Sequence, residues 1–393
     1  MTPLPDIDHL AALSDETLAA LRARFAEARF DEDALADGEA IAPGVFDALR
    51  LALVHAEFHR APTPGRDLAL LFQYDGAVPH GRVVEALGDA LAAELLGAGL
   101  LVRDGDALRS PFRITPLFGV WVLSDDLHRG EEAVMGPGPT TQRLAQALPR
   151  QSPPRVLDLC CGAGTFALLA ARAGATDVTG LDISPRAIAL ARFNARLNGV
   201  AATFATSDLF DAVRGRRFDL IASQPAFIAR PPDVTASTFA HGGAFGDELV
   251  MALFDALPGY LAPGGRALVL MESATRAGAP LHARVRKALG DAPLDLLVLA
   301  SKGNSPDAYS VGYASLLDPT FGARWREVVV RYRAHLRAMG VEEFAYALAV
   351  VTAPDTDARE GEARYTITLP VQGLRGVDQE VLAGLQRALA LAS

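Results

Sequence analysis

Apolar residues in the second half of the chain occur in short runs that alternate with segments of helical spacing. The runs predict strands at residues 155–159, 177–182, 202–205, 218–223, 265–271, 295–300 and 345–351. The intervening segments predict helices at residues 165–173, 185–198, 248–260, 280–289 and 325–338. One more strand and one more helix are expected between residues 366 and 391. This alternation predicts an α/β fold with a doubly wound, mostly parallel sheet.

The first hundred residues follow a different pattern, in which helical spacing dominates. Apolar side chains recur every three or four positions in two stretches: Leu10, Leu13, Leu18, Leu21 and Phe25, then Val84, Leu87, Leu91 and Leu95. Glycines at 97 and 99 stop the second stretch, and two short strands follow around an Asp104–Gly105 turn. Helices followed by strand, turn and strand predict a winged-helix-like module. We therefore expect an N-terminal, mainly helical domain at residues 1–130 and an α/β domain at residues 131–393.

The charge balance argues against a nucleic-acid partner. The 393 residues include 37 basic and 47 acidic side chains, a formal net charge of −10. Proteins that bind a phosphate backbone usually present a basic patch. The winged-helix-like module instead carries acidic residues: Glu85, Asp89, Glu94, Asp104 and Asp106. We expect this module to cover a compact substrate, and we do not expect RNA or DNA as a partner.

Cysteine usage and the N-terminus favour a cytoplasmic protein. Two adjacent cysteines, Cys160 and Cys161, exclude a disulfide framework, and the eight histidines show no spacing typical of a metal site. The N-terminal residues lack the basic and apolar regions of a signal peptide. No apolar run reaches the roughly 18 residues that a membrane span needs. We expect no metal and no membrane association, and the pattern predicts no oligomeric state.

The most informative segment is the first strand of the α/β domain and the turn after it. Asp158 lies in the strand, Gly162 and Gly164 form a Gly-x-Gly turn, and a helical run begins at Thr165. Glycine allows the backbone to bend tightly and to approach a ligand closely. The next strand ends in Asp182, whose carboxylate is suited to two ribose hydroxyls. These features predict a nucleoside-cofactor site at the carboxyl edge of the sheet.

A later strand carries the element that distinguishes between cofactors. It runs from Phe218 and ends in Gln224-Pro225-Ala226-Phe227. With Asp158 and the glycine turn, this segment resembles the class I S-adenosylmethionine-dependent methyltransferases. It is most similar to the branch with Asn-Pro-Pro-Tyr/Phe, which includes glutamine N5 methyltransferases and several RNA base N-methyltransferases. The resemblance covers about residues 133 to 275 and implies a seven-stranded Rossmann-like sheet.

The resemblance also implies which residues bind S-adenosylmethionine. The glycine turn would hold the methionine part of the cofactor, with Asp158 near its amino group, and Asp208 would accept from the adenine amino group. The predicted cofactor-binding set is Asp158, Cys160, Gly162, Gly164, Thr165, Asp182, Ile183, Ser207, Asp208, Leu209 and Gln224. A Pro- and Thr-containing segment at residues 136–141 would lie over the cofactor, with Thr140 or Thr141 capping the helix behind it.

On the acceptor side, the resemblance implies that Gln224 and Pro225 accept hydrogen bonds from an NH₂ group while Phe227 packs against it. The chain departs from the family pattern twice. Gln224 is one methylene longer than asparagine, and Ala226 replaces a proline, which restores a backbone N–H. These departures leave the acceptor atom, nitrogen or oxygen, open.

Two further loops supply candidates near the acceptor. Residues 241–247 form a glycine-rich loop in which His241 is a candidate general base and Phe245 a candidate substrate contact. A polar stretch at residues 302–309 follows another strand, and Asp307 and Tyr309 are candidates for contact with substrate.

The leading prediction is a methyltransferase acting on nitrogen or oxygen of a small molecule or peptide. Modification of a translation-factor glutamine or an RNA base is an alternative. A non-catalytic protein with a cofactor-binding fold is another, since Gln224 and Ala226 alter the acceptor motif. A dehydrogenase is disfavoured because Asp158 and the segment from Phe218 to Phe227 favour S-adenosylmethionine, although Ala167 is a tolerated variant at the third glycine position of a dinucleotide fingerprint.

Overall fold

A computed structural model describes residues 3–41, 47–126, 130–234, 240–276, 278–318, 320–355, 365–374 and 376–392. The chain forms two compact units. The N-terminal unit comprises Met1–Gly138, Gly162–Arg172 and Ser184–Phe204. The sheet unit comprises Pro139–Cys161, Ala173–Ile183 and Ala205–Ser393.

The first strands and helices belong to the N-terminal region. The helices are α1 (Asp15–Glu27), α2 (Glu32–Ala40), α3 (Asp47–Arg60), α4 (Pro64–Phe72), α5 (His80–Leu87) and α6 (Asp89–Gly97). The strands are β1 (Val78–Pro79), β2 (Val102–Asp104), β3 (Ala107–Arg109), β4 (Phe112–Leu117) and β5 (Val120–Asp125). The succession α4, β1, α5, α6, β2, β3, with β1 and β2 both paired to β3, is the topology of a winged helix. The predicted winged-helix-like module is therefore present.

Strands β4 and β5 form a hairpin with a two-residue turn, and amide side chains cover the free edge of β5. The turn residues Phe118 and Gly119 both have positive φ, 47° and 78°. Positive φ at both central residues is typical of the tight turns that match the twist of a hairpin. In helix α9 (Pro185–Asn198), Asn194 and Asn198 each exchange two hydrogen bonds of 2.7–2.9 Å with the backbone of β5, at Leu123 and Trp121 respectively. Polar groups of an edge strand are thus satisfied by side chains spaced one helical turn apart.

Among the described residues, the large sheet has eight strands. The remaining strands are β6 (Arg155–Leu159), β7 (Asp177–Asp182), β8 (Thr203–Thr206), β9 (Phe218–Ser223), β10 (Leu261–Arg276), β11 (Asp295–Ser301), β12 (Val341–Thr352) and β13 (Thr366–Val371). Their order is β13-β11-β12-β10-β9-β6-β7-β8, with β12 antiparallel to both β10 and β11. This order confirms the predicted doubly wound sheet, and β13 extends it beyond seven strands by pairing with β11 in parallel.

The remaining helices are α7 (Pro139–Ala147), α8 (Thr165–Arg172), α10 (Glu248–Ala256), α11 (Leu281–Leu289), α12 (Pro306–Leu317), α13 (Ala323–Ala338) and α14 (Gln379–Ala392). Helices α10 and α11 cover one face of the sheet, where Phe254 and Val285 pack with Ile221, Val269 and other fully buried residues. On the other face, α12 and α13 form a smaller apolar core over Phe344 of β12. Near-continuous apolar strands are expected when both faces are covered. Among the residues that the structure describes, none of the helices could cross a membrane.

Some elements differ from the prediction. The stretch 302–309 is not a loop throughout, because α12 begins at Pro306 with the Ser305 side chain as its N-cap. Strands β10 (Leu261–Arg276) and β12 (Val341–Thr352) are longer than predicted, because residues 266–276 of β10 pair with residues 341–352 of β12. Helix α7 begins at Pro139, so Thr140 and Thr141 lie inside its first turn and neither caps it.

Candidate functional site

The two loops that carry the candidate site leave the sheet side by side. Strand order reverses between β6 and β9, where Leu159 pairs with Ser223. The Ser223 hydroxyl donates a 2.7 Å hydrogen bond to the Leu159 carbonyl, which ties the two strand ends together. Ligands of doubly wound sheets bind outside the carboxyl ends of the strands at such a point. The structure therefore brings the segments after Leu159 and after Ser223 to the predicted edge.

On the β6 side, Asp158 is fully buried and the chain turns sharply after it. Cys160 adopts a positive φ of 58°, and the Cys161 amide donates to the Leu181 carbonyl at 2.9 Å. Burial, with Asp158 and Asp182 nearby, raises the pKa of both cysteine thiols well above the ordinary value. The thiols therefore stay protonated and serve as small packing groups in the turn.

The two glycines of the turn differ in what surrounds them. Gly162 has φ 51°, and nothing lies within 4 Å of the position that a Cβ would take, so the space on that side of the residue is open. Gly164 has φ 86°, and a Cβ there would lie 3.0 Å from Ala191 Cβ and 3.1 Å from the Phe204 ring. Gly164 is thus required for packing, and Thr165 behind it is buried at the start of α8.

The end of β7 offers both a carboxylate and an uncovered apolar side chain. Asp182 is half-buried, and its carbonyl accepts from the Ser207 amide at 2.8 Å. Ile183, the next residue, is 63% exposed. A carboxylate accepts from ribose hydroxyls, and an exposed isoleucine supplies an apolar surface for a flat base. Asp182 and Ile183 thus fit the ribose and the base of an adenosine-containing cofactor.

Residues 207–209 hold the predicted adenine-side loop. The Ser207 hydroxyl donates to the Leu209 carbonyl at 2.9 Å and accepts from the Ala212 amide at 3.0 Å, so it shapes the loop from within. Asp208 is exposed, and Leu209 has φ 42° and packs against the main core. The Asp208 carboxylate is therefore accessible, and its contact with adenine stays a prediction.

On the β9 side, Gln224 is held in one orientation. Its Nε2 donates a 2.8 Å hydrogen bond to Thr140 Oγ1 in α7. Its Oε1 is buried and accepts no hydrogen bond from the residues described. A buried acceptor without a partner costs about 1–3 kcal/mol. A ligand N–H placed at this oxygen would remove that cost.

Phe227 begins an aromatic wall that continues on β12. Its ring meets the Tyr346 ring edge-on, with centroids 6.2 Å apart and an interplanar angle of 86°. The Arg143 guanidinium of α7 lies 5.8 Å from the centroid of the Tyr346 ring. Pro225, between Gln224 and Phe227, is buried. The acceptor side is thus enclosed by an amide, two aromatic rings and one cation.

A buried acid, Glu272 of β10, lies next to this wall and was not predicted. It is 2% exposed and accepts a 2.7 Å hydrogen bond from the Tyr313 hydroxyl. Burial raises the pKa of Glu272 from 4.5 to about 7, against the lowering effect of the Tyr313 hydrogen bond. A carboxyl group that is partly ionised near neutral pH can accept or donate a proton. The signal available in the sequence was a single acidic residue directly after the apolar run 267–271.

The glycine-rich loop is fastened to the segment after Phe227. The Gly242 amide donates a hydrogen bond to the Ile228 carbonyl, and the Arg230 amide donates one to the Gly243 carbonyl. The His241 Nδ1 accepts from the Gly243 amide at 3.0 Å, and burial, helped by Arg230, lowers the pKa of His241. His241 is therefore neutral near pH 7, with one ring nitrogen engaged by its own loop.

Phe245, on the same loop, packs under a cation. The Arg276 guanidinium lies 3.9 Å from the centroid of the Phe245 ring. Arg276 and Arg284 also pair with buried Asp247, which precedes α10. The ring of Phe245 is thus already partnered, and its contact with substrate stays a prediction.

Two predicted substrate residues are placed in structural roles. Tyr309 is 3% exposed, stacks on Phe344 with centroids 3.7 Å apart, and accepts from the Ala229 amide through its hydroxyl. Asp307 is exposed and pairs with Arg333 at 2.7 Å. Helix α12 takes the place of the predicted loop, and contact of these two residues with substrate stays a prediction.

Comparison with known proteins assigns the family. The sequence profile of the methyltransferase small domain matches residues 136–289. The release factor glutamine methyltransferase of Cereibacter sphaeroides is 32% identical over 239 residues, 57% of this chain and 84% of that protein. The chain belongs to the class I S-adenosylmethionine-dependent methyltransferases. S-Adenosylmethionine is the cofactor of this family, and the residues at the ends of β6 and β7 fit it.

Other relatives match shorter segments. The release factor glutamine methyltransferase of Koribacter versatilis is 32% identical over 169 residues, 39% of this chain and 60% of that protein. The ribosomal protein L11 methyltransferase of Laribacter hongkongensis is 41% identical over 92 residues, 22% of this chain and 30% of that protein. The chain spans about 60% of the length of the first curated relatives that it matches.

Proposed function

We propose that the chain transfers a methyl group from S-adenosylmethionine to the nitrogen of an NH₂-bearing acceptor, in a small molecule or a peptide. The observation that carries this proposal is the buried Gln224 Oε1, which accepts no hydrogen bond from the described residues. An amide oxygen can only accept, so its partner must be a donor. An NH₂ group donates through its hydrogens while its lone pair points elsewhere.

The fixed orientation of Gln224 supports nitrogen over oxygen. Because Thr140 Oγ1 holds Nε2 at 2.8 Å, Oε1 is the atom left for the acceptor. A hydroxyl acceptor would use its single hydrogen in this hydrogen bond, whereas an NH₂ acceptor keeps a second hydrogen that can leave as a proton. The extra methylene relative to asparagine is thereby accommodated: the longer side chain is anchored by α7.

The cofactor side provides the remaining groups. Asp158, Gly162, Asp182 and Ile183 would hold S-adenosylmethionine, which supplies an electrophilic methyl group when bound. Phe227 and Tyr346 form an aromatic wall against which a planar acceptor group packs. Excluding water there protects the reaction and strengthens the hydrogen bond at Gln224.

Among peptide acceptors, a glutamine side chain is the first to test. It carries the NH₂ group that Gln224 Oε1 requires, and two of the similar proteins are release factor glutamine methyltransferases. An RNA base is the weaker alternative, because the net charge of −10 does not favour phosphate binding.

The test uses the purified chain, methyl-labelled S-adenosylmethionine, a glutamine-containing peptide and matched peptides with asparagine or glutamate in place of glutamine. We expect label on the glutamine nitrogen, stable to mild alkali and released as methylamine by acid. Transfer only to the glutamate peptide as an alkali-labile ester would contradict the nitrogen assignment. Cofactor binding without transfer to any primary amide or amine would favour a non-catalytic protein.

A further inference from the structure

We propose that the Glu272 carboxylate takes the proton that the acceptor nitrogen loses during methylation, so that Glu272 is the general base of this site. The inference rests on the proposed N-methylation and adds a residue that the acceptor motif does not contain. Its basis is the position of Glu272 beside the aromatic wall and the groups that surround its carboxyl.

The strand register places Glu272 at the acceptor side. In the parallel pair of β9 and β10, Ser223 is opposite Val269, and β9 ends there. Glu272 therefore lies three residues beyond the end of β9, at the level of the loop that carries Gln224 and Phe227. The sheet leaves that side of β10 open to the loop.

Glu272 is next to Tyr346, one of the two rings of the aromatic wall. Glu272 and Tyr346 are direct partners in the antiparallel pair of β10 and β12, so their side chains share a face with Cβ atoms about 5 Å apart. The same Tyr346 ring meets the ring of Phe227. Ala274 and Phe344, two residues along on this face, are already covered by the core with α12 and α13. Glu272 therefore lies between the apolar core formed with α12 and α13 and the aromatic wall of Phe227 and Tyr346.

The groups facing Glu272 are neutral hydroxyls rather than a paired cation. From α12, Tyr313 donates to its Oε2 at 2.7 Å, and Tyr309 lies behind Tyr313 with ring centroids 4.4 Å apart. From β12 it faces Tyr346, and the Arg143 guanidinium of α7 lies 5.8 Å from the centroid of that ring. Burial raises the pKa of all three tyrosines, so they remain protonated donors. No described residue forms an ion pair with Glu272, which keeps its carboxylate basic.

The chemistry requires such a group. The acceptor nitrogen forms its new bond to the methyl carbon with its own electron pair, and the pair of the broken carbon–sulfur bond stays on sulfur. The nitrogen then carries one proton too many, and for a carboxamide its lone pair is too delocalised to attack unless that proton is leaving. The N–H electron pair returns to nitrogen as the proton passes to the Glu272 carboxylate, which later releases it to solvent.

The decisive variant is Glu272→Gln, which keeps the shape of the side chain and removes its basicity. With the glutamine-containing peptide of the assay above, we expect kcat to fall about a hundredfold or more, the size typical of losing a general base. The wild-type rate should rise with pH through about 7, where Glu272 ionises, and this rise should be absent from the variant. Glu342→Gln, at an exposed glutamate on β12, is the matched control and should keep the wild-type profile.

Tyr313→Phe separates proton transfer from a structural role. Since the Tyr313 hydroxyl lowers the pKa of Glu272, its removal should move the rise in rate to higher pH. Glu272→Asp, with a carboxylate set back by one methylene, should recover part of the rate lost in Glu272→Gln. A purely structural contribution would lower the rate without moving the profile.

The wild type and the variants decide different questions. Wild-type protein that transfers nothing to nitrogen would overturn the proposed function and this inference with it. An active wild type together with a Glu272→Gln protein that keeps the rise near pH 7 would overturn this inference alone, whatever the change in kcat.

Discussion

The two ends of the carboxyl edge of the sheet present different environments. At the end of β7 the groups for the cofactor are accessible: Ile183 is 63% exposed and Asp182 is half-buried. At β9, β10 and β12 the groups are enclosed, with Glu272 2% exposed and the Gln224 oxygen buried. A large polar cofactor needs an open cradle that holds it by hydrogen bonds. A reacting nitrogen needs a desolvated pocket in which a single amide and a single acid act strongly.

The same difference in burial acts on the acid at the enclosed end. Asp182 is half-buried at the other end, where we propose that it accepts hydrogen bonds from ribose. Glu272 has lost its water, and burial raises its pKa to about 7. In our proposals a carboxylate therefore serves as a hydrogen-bond acceptor at one end and as a proton acceptor at the other.

The largest expected effect tests whether the two ends act independently. Gln224→Ala and Phe227→Ala should lower turnover about a hundredfold or more, since misplacing the acceptor by about 1 Å has effects of that size. The affinity for S-adenosylhomocysteine should stay within about twofold of wild type, as measured by calorimetry. Gln146→Ala, an exposed glutamine on α7, is the control and should change neither quantity. Loss of cofactor binding in a folded Gln224 or Phe227 variant would show that the cofactor end and the acceptor end do not act independently.

The next effect tests the enclosed character of the acceptor end through stability. Because the pKa of Glu272 is raised from 4.5 to about 7, the folded state binds more protons than the unfolded state in that interval. The contribution of Glu272 to stability is therefore present below about pH 4.5 and is lost as pH rises through about 7, by about 3 kcal/mol in total. Urea unfolding should show Glu272→Gln becoming more stable relative to wild type across this range. A difference between the two proteins that does not vary with pH would show that Glu272 is not desolvated.

A somewhat smaller effect tests the open end. Asp182→Ala should weaken binding of S-adenosylhomocysteine by about 1.5–3 kcal/mol, because hydrogen bonds to a charged group are lost. Asp255→Ala, an exposed aspartate on α10, should leave the affinity unchanged. Equal affinities for wild type and the Asp182 variant would remove the ribose assignment.

The smallest effect concerns the glycine turn. Gly164→Ala should cost about 1–3 kcal/mol of stability, because it combines a positive φ with a Cβ 3.0 Å from Ala191 Cβ. Gly312→Ala, in α12 with nothing within 4 Å, should instead stabilise by about 0.5–1 kcal/mol. Thermal unfolding of both variants measures the contrast. If both changes were stabilising, the packing role of Gly164 would be wrong.

The doubly wound sheet and the cofactor could be predicted because their signals are local. Strands β6, β7 and β9 are apolar runs buried on both faces, and their bounds were predicted to the residue. The polar residues that matter directly follow these strands. Helix α12 was missed because Gly312 and several serines interrupt its apolar spacing, although Ser305 and Pro306 form a recognisable helix start.

The acceptor end could not be assembled from the sequence because its contacts are distant along the chain. Gln224 and Thr140 are 84 residues apart, and Glu272 and Tyr313 are 41 apart. Glu272 itself concealed the length of β10, since an acidic residue normally ends a buried strand. Here the Tyr313 hydroxyl and a raised pKa make its burial tolerable.

The central claim is that the open end of the sheet binds S-adenosylmethionine. Calorimetric titration of the purified chain with S-adenosylmethionine and S-adenosylhomocysteine, and in parallel with NAD, tests it most directly. We predict saturable, micromolar binding of both adenosyl ligands at one site per chain and no binding of NAD. Binding of NAD without binding of the adenosyl ligands would contradict the account.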